Sequence, residues 1–174
     1  SWDNDAAYEL TVRDLGSGQL AITVVGDMLI FDSARFASMV RKVDKAPGNV
    51  AEVVLDGRHV RVLEPLSLQS GRVRIQAETV SFEGLGLITL TRAPGAAVDG
   101  LEIDALKLDM SKALPLPLQI TVAPSSARKV AVRAGELLVP GSASLQGDAA
   151  ARWLWQRSSN FDGTAPASLP SNWL

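Results

Sequence analysis

From about residue 50, apolar residues recur two positions apart in short runs. That spacing sends the apolar side chains to one face of an extended strand. Gly57, Pro65, Gly71 and Gly84 separate the runs, as expected for turn-forming residues. The pattern therefore predicts an all-β chain. The first runs are Val53–Leu55, Val60–Val62, Leu66–Leu68, Val73–Ile75, Val80–Phe82 and Leu87–Leu90.

Two of these segments repeat at an offset of 20 residues. Polar positions repeat as well, because Glu52 falls on Arg72 and Arg58 falls on Glu78. Opposite charges at one register are what neighbouring strands tolerate on a solvent face. The matched apolar pairs are Val53 with Val73, Leu55 with Ile75, Val60 with Val80 and Val62 with Phe82.

The period then loosens, since Leu101 follows Val73 by 28 residues, and further runs extend to Leu145. Short strands stacked at constant register are typical of a β-solenoid. We therefore predict a small parallel β-solenoid (β-helix) of about four coils, with its repeats over about residues 50–146. A β-sandwich is the alternative, because it also produces many short alternating strands.

The flanks of the repeat carry the remaining predicted elements. Strands are expected at Tyr8–Arg13, Gln19–Val25 and Met28–Phe31, the last two separated by a turn at Gly26-Asp27. Residues 33–44 place four apolar side chains on one helical face, which predicts an α-helix that caps the β stack. Residues 1–147 are thus expected to form one β-rich domain, with residues 148–174 as a tryptophan-bearing C-terminal cap or linker.

One segment resembles a known architecture. The run from Gly71 to Gly84 (GRVRIQAETVSFEG) looks like a coil of the right-handed parallel β-helices of bacterial surface and secreted proteins. This resemblance implies a secreted or cell-envelope location. A weaker likeness, carried by Leu101–Leu108 (LEIDALKL), is to periplasmic lipid-transport proteins with long β-grooves.

Composition removes several kinds of chemistry. The chain has no cysteine and one histidine, His59, which excludes disulfides, Cys/His zinc sites and cysteine nucleophiles. At an offset of 20, His59 falls on Thr79, an outward position, so we expect an ordinary surface histidine. The net charge of −2 argues against a nucleic-acid partner. No run approaches the roughly 20 apolar residues of a membrane-spanning helix.

The C-terminal segment contains three of the four tryptophans. Asp148 can cap a short helix over residues 149–157. Trp153 and Trp155 are two apart, so an extended segment would place them on one face, whereas a helix would not. They are candidate binding residues for a protein or a sugar ring, and a structural role as an end cap is the alternative.

Acidic residues are the remaining candidates for enzymatic chemistry. Asp104 and Asp109 lie near the ends of short runs, where carboxylate oxygens suit calcium. β-Helix polysaccharide lyases combine calcium-bound acids with a Lys or Arg base, a role that Arg92 or Lys112 would fill under that resemblance. Aspartate is also an ordinary turn residue, so calcium is expected as a cofactor only under the enzyme hypothesis.

Taken together, these features favour a non-catalytic structural or adhesive module of a larger secreted or envelope protein. It would bind a protein or glycan through an exposed strand face or through loops near Arg92 and Lys112. A calcium-dependent, lyase-like enzyme and a lipid-binding β-groove protein are the alternatives. Exposed strands at the ends of the stack would also permit self-association.

Overall fold

The described residues are mostly β-strand, with one short helix, as the sequence predicts. The computed structural model describes residues 8–16, 18–31, 34, 50–63, 65–68, 72–84, 87–90, 100–113, 120–122, 129–141 and 143–157. The elements are β1 (Tyr8–Gly16), β2 (Gln19–Phe31), β3 (Val50–Val62), β4 (Pro65–Leu68), β5 (Arg72–Phe82), β6 (Leu87–Leu90), β7 (Gly100–Asp109), β8 (Ile120–Val122), β9 (Lys129–Val139), β10 (Ala143–Leu145) and α1 (Gly147–Arg157).

The strands form two sheets. The larger, mixed sheet has seven strands in the order β1-β2-β3-β5-β7-β9-β10. Its five central strands are parallel, whereas β1 and β10 pair antiparallel at the two edges. The smaller sheet, β4-β6-β8, is parallel. From β3 to β9, long strands of the larger sheet therefore alternate along the chain with short strands of the smaller sheet.

The register of the central strands confirms the predicted repeat. Val53 pairs with Val73, and Val73 pairs with Leu101, as the offsets of 20 and 28 residues require. Glu52 also pairs with Arg72 in adjacent parallel strands. The sandwich alternative is typically antiparallel, so this pairing favours stacked coils.

The five long strands bury apolar residues at matching relative positions: i, i+2, i+7 and i+9 in β2, β3, β5 and the β7 segment, and the last three of these in β9. A spacing of five residues would place the second pair on the opposite face of a flat strand. Because both pairs are buried, the strand turns between them. The buried residues are Ile22, Val24, Leu29 and Phe31 in β2; Val53, Leu55, Val60 and Val62 in β3; Val73, Ile75, Val80 and Phe82 in β5; Leu101, Ile103 and Leu108 in β7, followed by Met110; and Val132, Leu137 and Val139 in β9.

Small residues mark this bend in every strand. The position i+4 is occupied by Gly26, Gly57, Ala77, Ala105 and Ala134. Space is tightest at Gly57, where an added Cβ would collide with the backbone oxygen of Gly26. The next position interrupts the pairing between neighbouring strands, at Asp27, Arg58, Glu78, Leu106 and Gly135.

The bend corrects two details of the sequence interpretation. Runs that look like separate strands, such as Val53–Leu55 and Val60–Val62, belong to one continuous bent strand. The turn predicted at Gly26-Asp27 is wrong for the same reason, because β2 passes through both residues without a break. A glycine inside an alternating run marks a close approach of two backbones here, and not a chain reversal.

Of the two helices predicted at the flanks of the repeat, the structure describes only the C-terminal one. The predicted helix over residues 33–44 lies outside the described residues, apart from Ala34. The predicted C-terminal helix is confirmed as α1, which begins at Gly147 and carries Asp148 in its first turn. Ala150 and Leu154 of α1 are buried in the core. Within the described ranges, no helix is both long and apolar enough to cross a membrane.

Candidate functional site

The outer face of the larger sheet carries a group of alternating charges, which we call the charged ladder. It consists of Arg72, Arg74, Glu102, Asp104 and Arg133 on β5, β7 and β9. These positions alternate with the buried residues of the first half of each strand, so their side chains project away from the core. The ladder contains three guanidinium groups and two carboxylates, which leaves one positive charge in excess.

Glu102 lies between two arginines. Its Oε1 accepts a hydrogen bond of 2.7 Å from Arg72 Nη2. Arg74 Nε lies 3.6 Å from the other oxygen, Oε2, which is too far for a good hydrogen bond. Arg74 Nε is also the one buried side-chain polar atom without a hydrogen-bond partner in the described part of the chain. Arg74 is therefore held at ion-pair distance from Glu102 without a hydrogen bond from its Nε.

Asp104 and Arg133 form the second part of the ladder. Arg133 donates from Nε and Nη2 to the two oxygens of Asp104, at 2.8 Å and 3.0 Å. These hydrogen bonds lower the pKa of Asp104 below its ordinary value and raise the pKa of Arg133. Both side chains are partly exposed, which limits the contribution of the pair to the free energy of unfolding to about 1 kcal/mol or less.

A second charged group lies beyond the bend, near the C-terminal ends of β3 and β5. Arg61 donates from Nε and Nη2 to Glu83 at 2.6 Å and 3.1 Å, and Ser81 Oγ donates to Glu83 at 2.8 Å. The hydrogen bonds from Arg61 are the main reason that the pKa of Glu83 lies below its ordinary value. Only 14% of the Glu83 side chain is exposed. This ion pair therefore links β3 to the residue that follows β5.

The predicted charge match at the bend is confirmed but weak. Arg58 lies 3.9 Å from Glu78 and 3.4 Å from Asp27. All three side chains are at least 60% exposed, so solvent screens their attraction. Glu52 and Arg72 share a register, yet the guanidinium group of Arg72 bonds to Glu102 on the next strand.

The two candidate calcium ligands each have a local partner. Asp104 is held by Arg133, and Asp109 Oδ1 accepts hydrogen bonds from the backbone N and the Oγ of Ser111 at 2.9 Å and 2.6 Å. They also lie on opposite sides of the bend at Leu106. Among the described residues, no group of three acidic or histidine side chains is arranged to hold a metal ion.

Of the other predicted binding residues, the structure describes the side chains of Lys112 and Trp153. Lys112 is exposed beside the end of β5, where its charge contributes to lowering the pKa of Glu83. Arg92 and the side chain of Trp155 lie outside the described residues. Trp153 is half-buried against the core. Both tryptophans belong to α1, in agreement with the helix predicted for this segment.

His59 occupies the position that the repeat predicts. It pairs with Thr79 on one side and Met28 on the other, in the outward column beside the bend.

Most of the ladder was not found from the sequence, although a signal was present. The offset of 28 that relates Val73 to Leu101 also places Arg74 on Glu102, and an offset of 29 places Asp104 on Arg133. Applying the charge comparison to these later strands would have identified the ladder. Comparisons with protein-family models, with curated proteins and with solved structures find no match.

Proposed function

We propose that residues 1–147 form a short β-solenoid and act as a non-catalytic structural or adhesive module of a larger secreted or envelope protein. The observation that carries this proposal is the recurrence of matching buried positions and of the same bend in five parallel strands. A stack of this kind is stiff, because each central strand is hydrogen-bonded to a neighbour on both sides and buries apolar side chains before and after its bend.

The partner is a glycan or protein surface that meets the charged ladder. Neighbouring strands lie about 4.8 Å apart, so the ladder presents guanidinium groups at short, fixed intervals. Guanidinium groups bind carboxylate and sulfate in paired hydrogen bonds. The three arginines of the ladder favour a partner that carries such anionic groups, and an acidic polysaccharide is the first one to test.

The burial of the core supports a structural module over a lipid carrier. A β-groove for lipid needs an open apolar face, whereas the core residues of the five long strands whose burial the structure describes are at most 8% exposed. The ion pairing of Asp104 also supports a non-catalytic role over a calcium-dependent one, because a carboxylate held by two donors must give them up before it binds a metal.

The test is titration calorimetry of the chain with polygalacturonate or alginate, with neutral dextran as the comparison polymer. We expect salt-sensitive binding to the acidic polymers only. The double variant R72Q/R74Q should weaken this binding about tenfold or more, whereas Arg152→Gln, an exposed change on α1, should not. Thermal melting of both variants would confirm that they fold.

The alternatives would give different results in companion assays. A lyase would release unsaturated, ultraviolet-absorbing products in calcium and none with a chelator, and loss of that activity in D104A/D109A would support the enzyme hypothesis. A lipid carrier would show bound lipid in native mass spectrometry. Equal binding by R72Q/R74Q and the unaltered chain, or no binding to any acidic polymer, would contradict the role of the ladder.

A further inference from the structure

The two edges of the larger sheet are protected differently. At one edge, β10 is only three residues long, and the following helix α1 buries Ala150 and Leu154 in the core. At the other edge, β1 is nine residues long and exposed from Thr11 to Gly16. It pairs with β2 on one side, and no strand of the described residues pairs with its other side. A long, uncovered edge strand is a template for another strand.

The apolar side of β1 continues the core of the sheet. Leu10 pairs with the buried Val24, and Val12 pairs with the buried Ile22, so Leu10 and Val12 face the same side as the core. Val12 nevertheless remains 40% exposed. The edge therefore lacks both a hydrogen-bonding neighbour and apolar cover among the described residues.

The charges on β1 are self-complementary. Glu9 and Arg13 stand two positions on either side of Thr11, and neither has an ion-pair partner in the described part of the chain. If two copies of β1 pair antiparallel with Thr11 at the centre, Glu9 lies opposite the partner's Arg13, and Arg13 lies opposite the partner's Glu9. Opposite charges directly across an antiparallel pair stabilise it.

The same register matches the apolar side. It places Leu10 opposite the partner's Val12, and directly opposed residues share one face of the sheet. Centring the pair on Leu10 or Val12 puts Glu9 or Arg13 opposite the partner's Thr11 and loses both charge pairs. A register shifted by one residue would turn the two cores to opposite sides of the sheet.

We propose that the chain forms a two-fold symmetric dimer through antiparallel pairing of β1 with β1 of a second copy, centred on Thr11. Pairing of identical edges is isologous, so it closes at two copies. At the other edge, β10 is only three residues long, which leaves little backbone for a further strand to pair with. The larger sheets of the two copies then join into one continuous sheet with both cores on the same side.

The experiment measures the mass of the full chain by sedimentation velocity across a range of concentrations. The unaltered chain should form a dimer. Glu9→Arg and Arg13→Glu should each weaken dimerisation about tenfold or more, because each creates two like-charge pairs across the symmetric interface. The control Arg152→Glu, an equal charge reversal on exposed α1, should leave the dimer unchanged.

Two rescue measurements make the register specific. The double variant E9R/R13E reverses both charges and should restore dimerisation to within about threefold of the unaltered chain. An equimolar mixture of the two single variants should form a heterodimer, because arginines at positions 9 and 13 of one copy then face glutamates of the other. Circular dichroism and thermal melting would establish that every variant is folded.

Three results would overturn the proposal. The first is a monomer at concentrations up to about 1 mM, which would indicate that another segment of the same chain covers β1. The second is a dimer that neither single reversal weakens. The third is a folded E9R/R13E variant that remains monomeric, since the interface would then lie elsewhere or use another register.

Discussion

Replacing Gly57 with alanine tests the bend that the five long strands share. The added Cβ would collide with the carbonyl oxygen of Gly26 on the neighbouring strand and would lie 3.4 Å from Leu29 Cγ. A backbone atom cannot rotate away as a side chain does, so β2 and β3 must separate locally. The equivalent positions in β5, β7 and β9 carry Ala77, Ala105 and Ala134, which pack against the core.

The magnitude follows from two opposing effects. Overpacking of a tight site costs about 1–3 kcal/mol. Alanine also restricts the unfolded chain relative to glycine, which stabilises the folded state by about 0.4–1 kcal/mol. We therefore expect Gly57→Ala to lower the free energy of unfolding by about 1–2 kcal/mol, which corresponds to a fall in Tm of roughly 2–8 °C for a chain of this size.

The assay is thermal and urea unfolding of three variants. Gly135→Ala is the matched control, because its added Cβ would lie 3.0 Å from the Leu106 carbonyl oxygen, a milder conflict that should cost less. Ala105→Gly removes a tolerated Cβ and should cost only about 0.5–1 kcal/mol. The reasoning would be refuted if Gly57→Ala were as stable as the unaltered chain, or if Gly135→Ala were the more damaging of the two substitutions.

Two further predictions concern charge and burial. The folded-state pKa of Glu83 lies below its ordinary value of 4.5, so its stabilising effect is complete above that pH and is lost as the pH falls through the folded-state pKa. Glu83→Gln should therefore lower the free energy of unfolding by about 1–2 kcal/mol at pH 7 and flatten its decline in acid; an unchanged acid profile would contradict the role of this pair. Leu101→Ala, at a fully buried position of β7, should cost about 2–5 kcal/mol in urea unfolding. Leu106→Ala on the same strand, where the side chain is 71% exposed, should cost less than about 0.5 kcal/mol, and similar losses at both positions would show that the assigned faces are wrong.

The candidate site was only partly predictable because charge partners depend on side-chain reach. The sequence places Glu52 beside Arg72, and the register confirms that position. The hydrogen bond of Arg72 is nevertheless made to Glu102. A guanidinium on a long, flexible side chain can reach either neighbouring strand, so shared register alone does not determine its partner.

The C-terminal segment that contains the two tryptophans is helical. Trp153 and Trp155 would share a face in an extended strand but not in a helix, and the structure places both in α1. Asp148 at the start of that segment already indicated the helix, because an acidic residue there favours helix initiation.

The sequence by itself determined the strand content, the offsets of 20 and 28 residues and the outward position of His59. These features follow from the alternation of side chains along a strand, which is a local property of the backbone. The bend was decided by the tertiary structure. Leu55 and Val60 are five residues apart and reach the same core because β3 turns between them, where Gly57 approaches the backbone of Gly26 closely. That approach is a contact between distant parts of the chain, and no single run of residues records it.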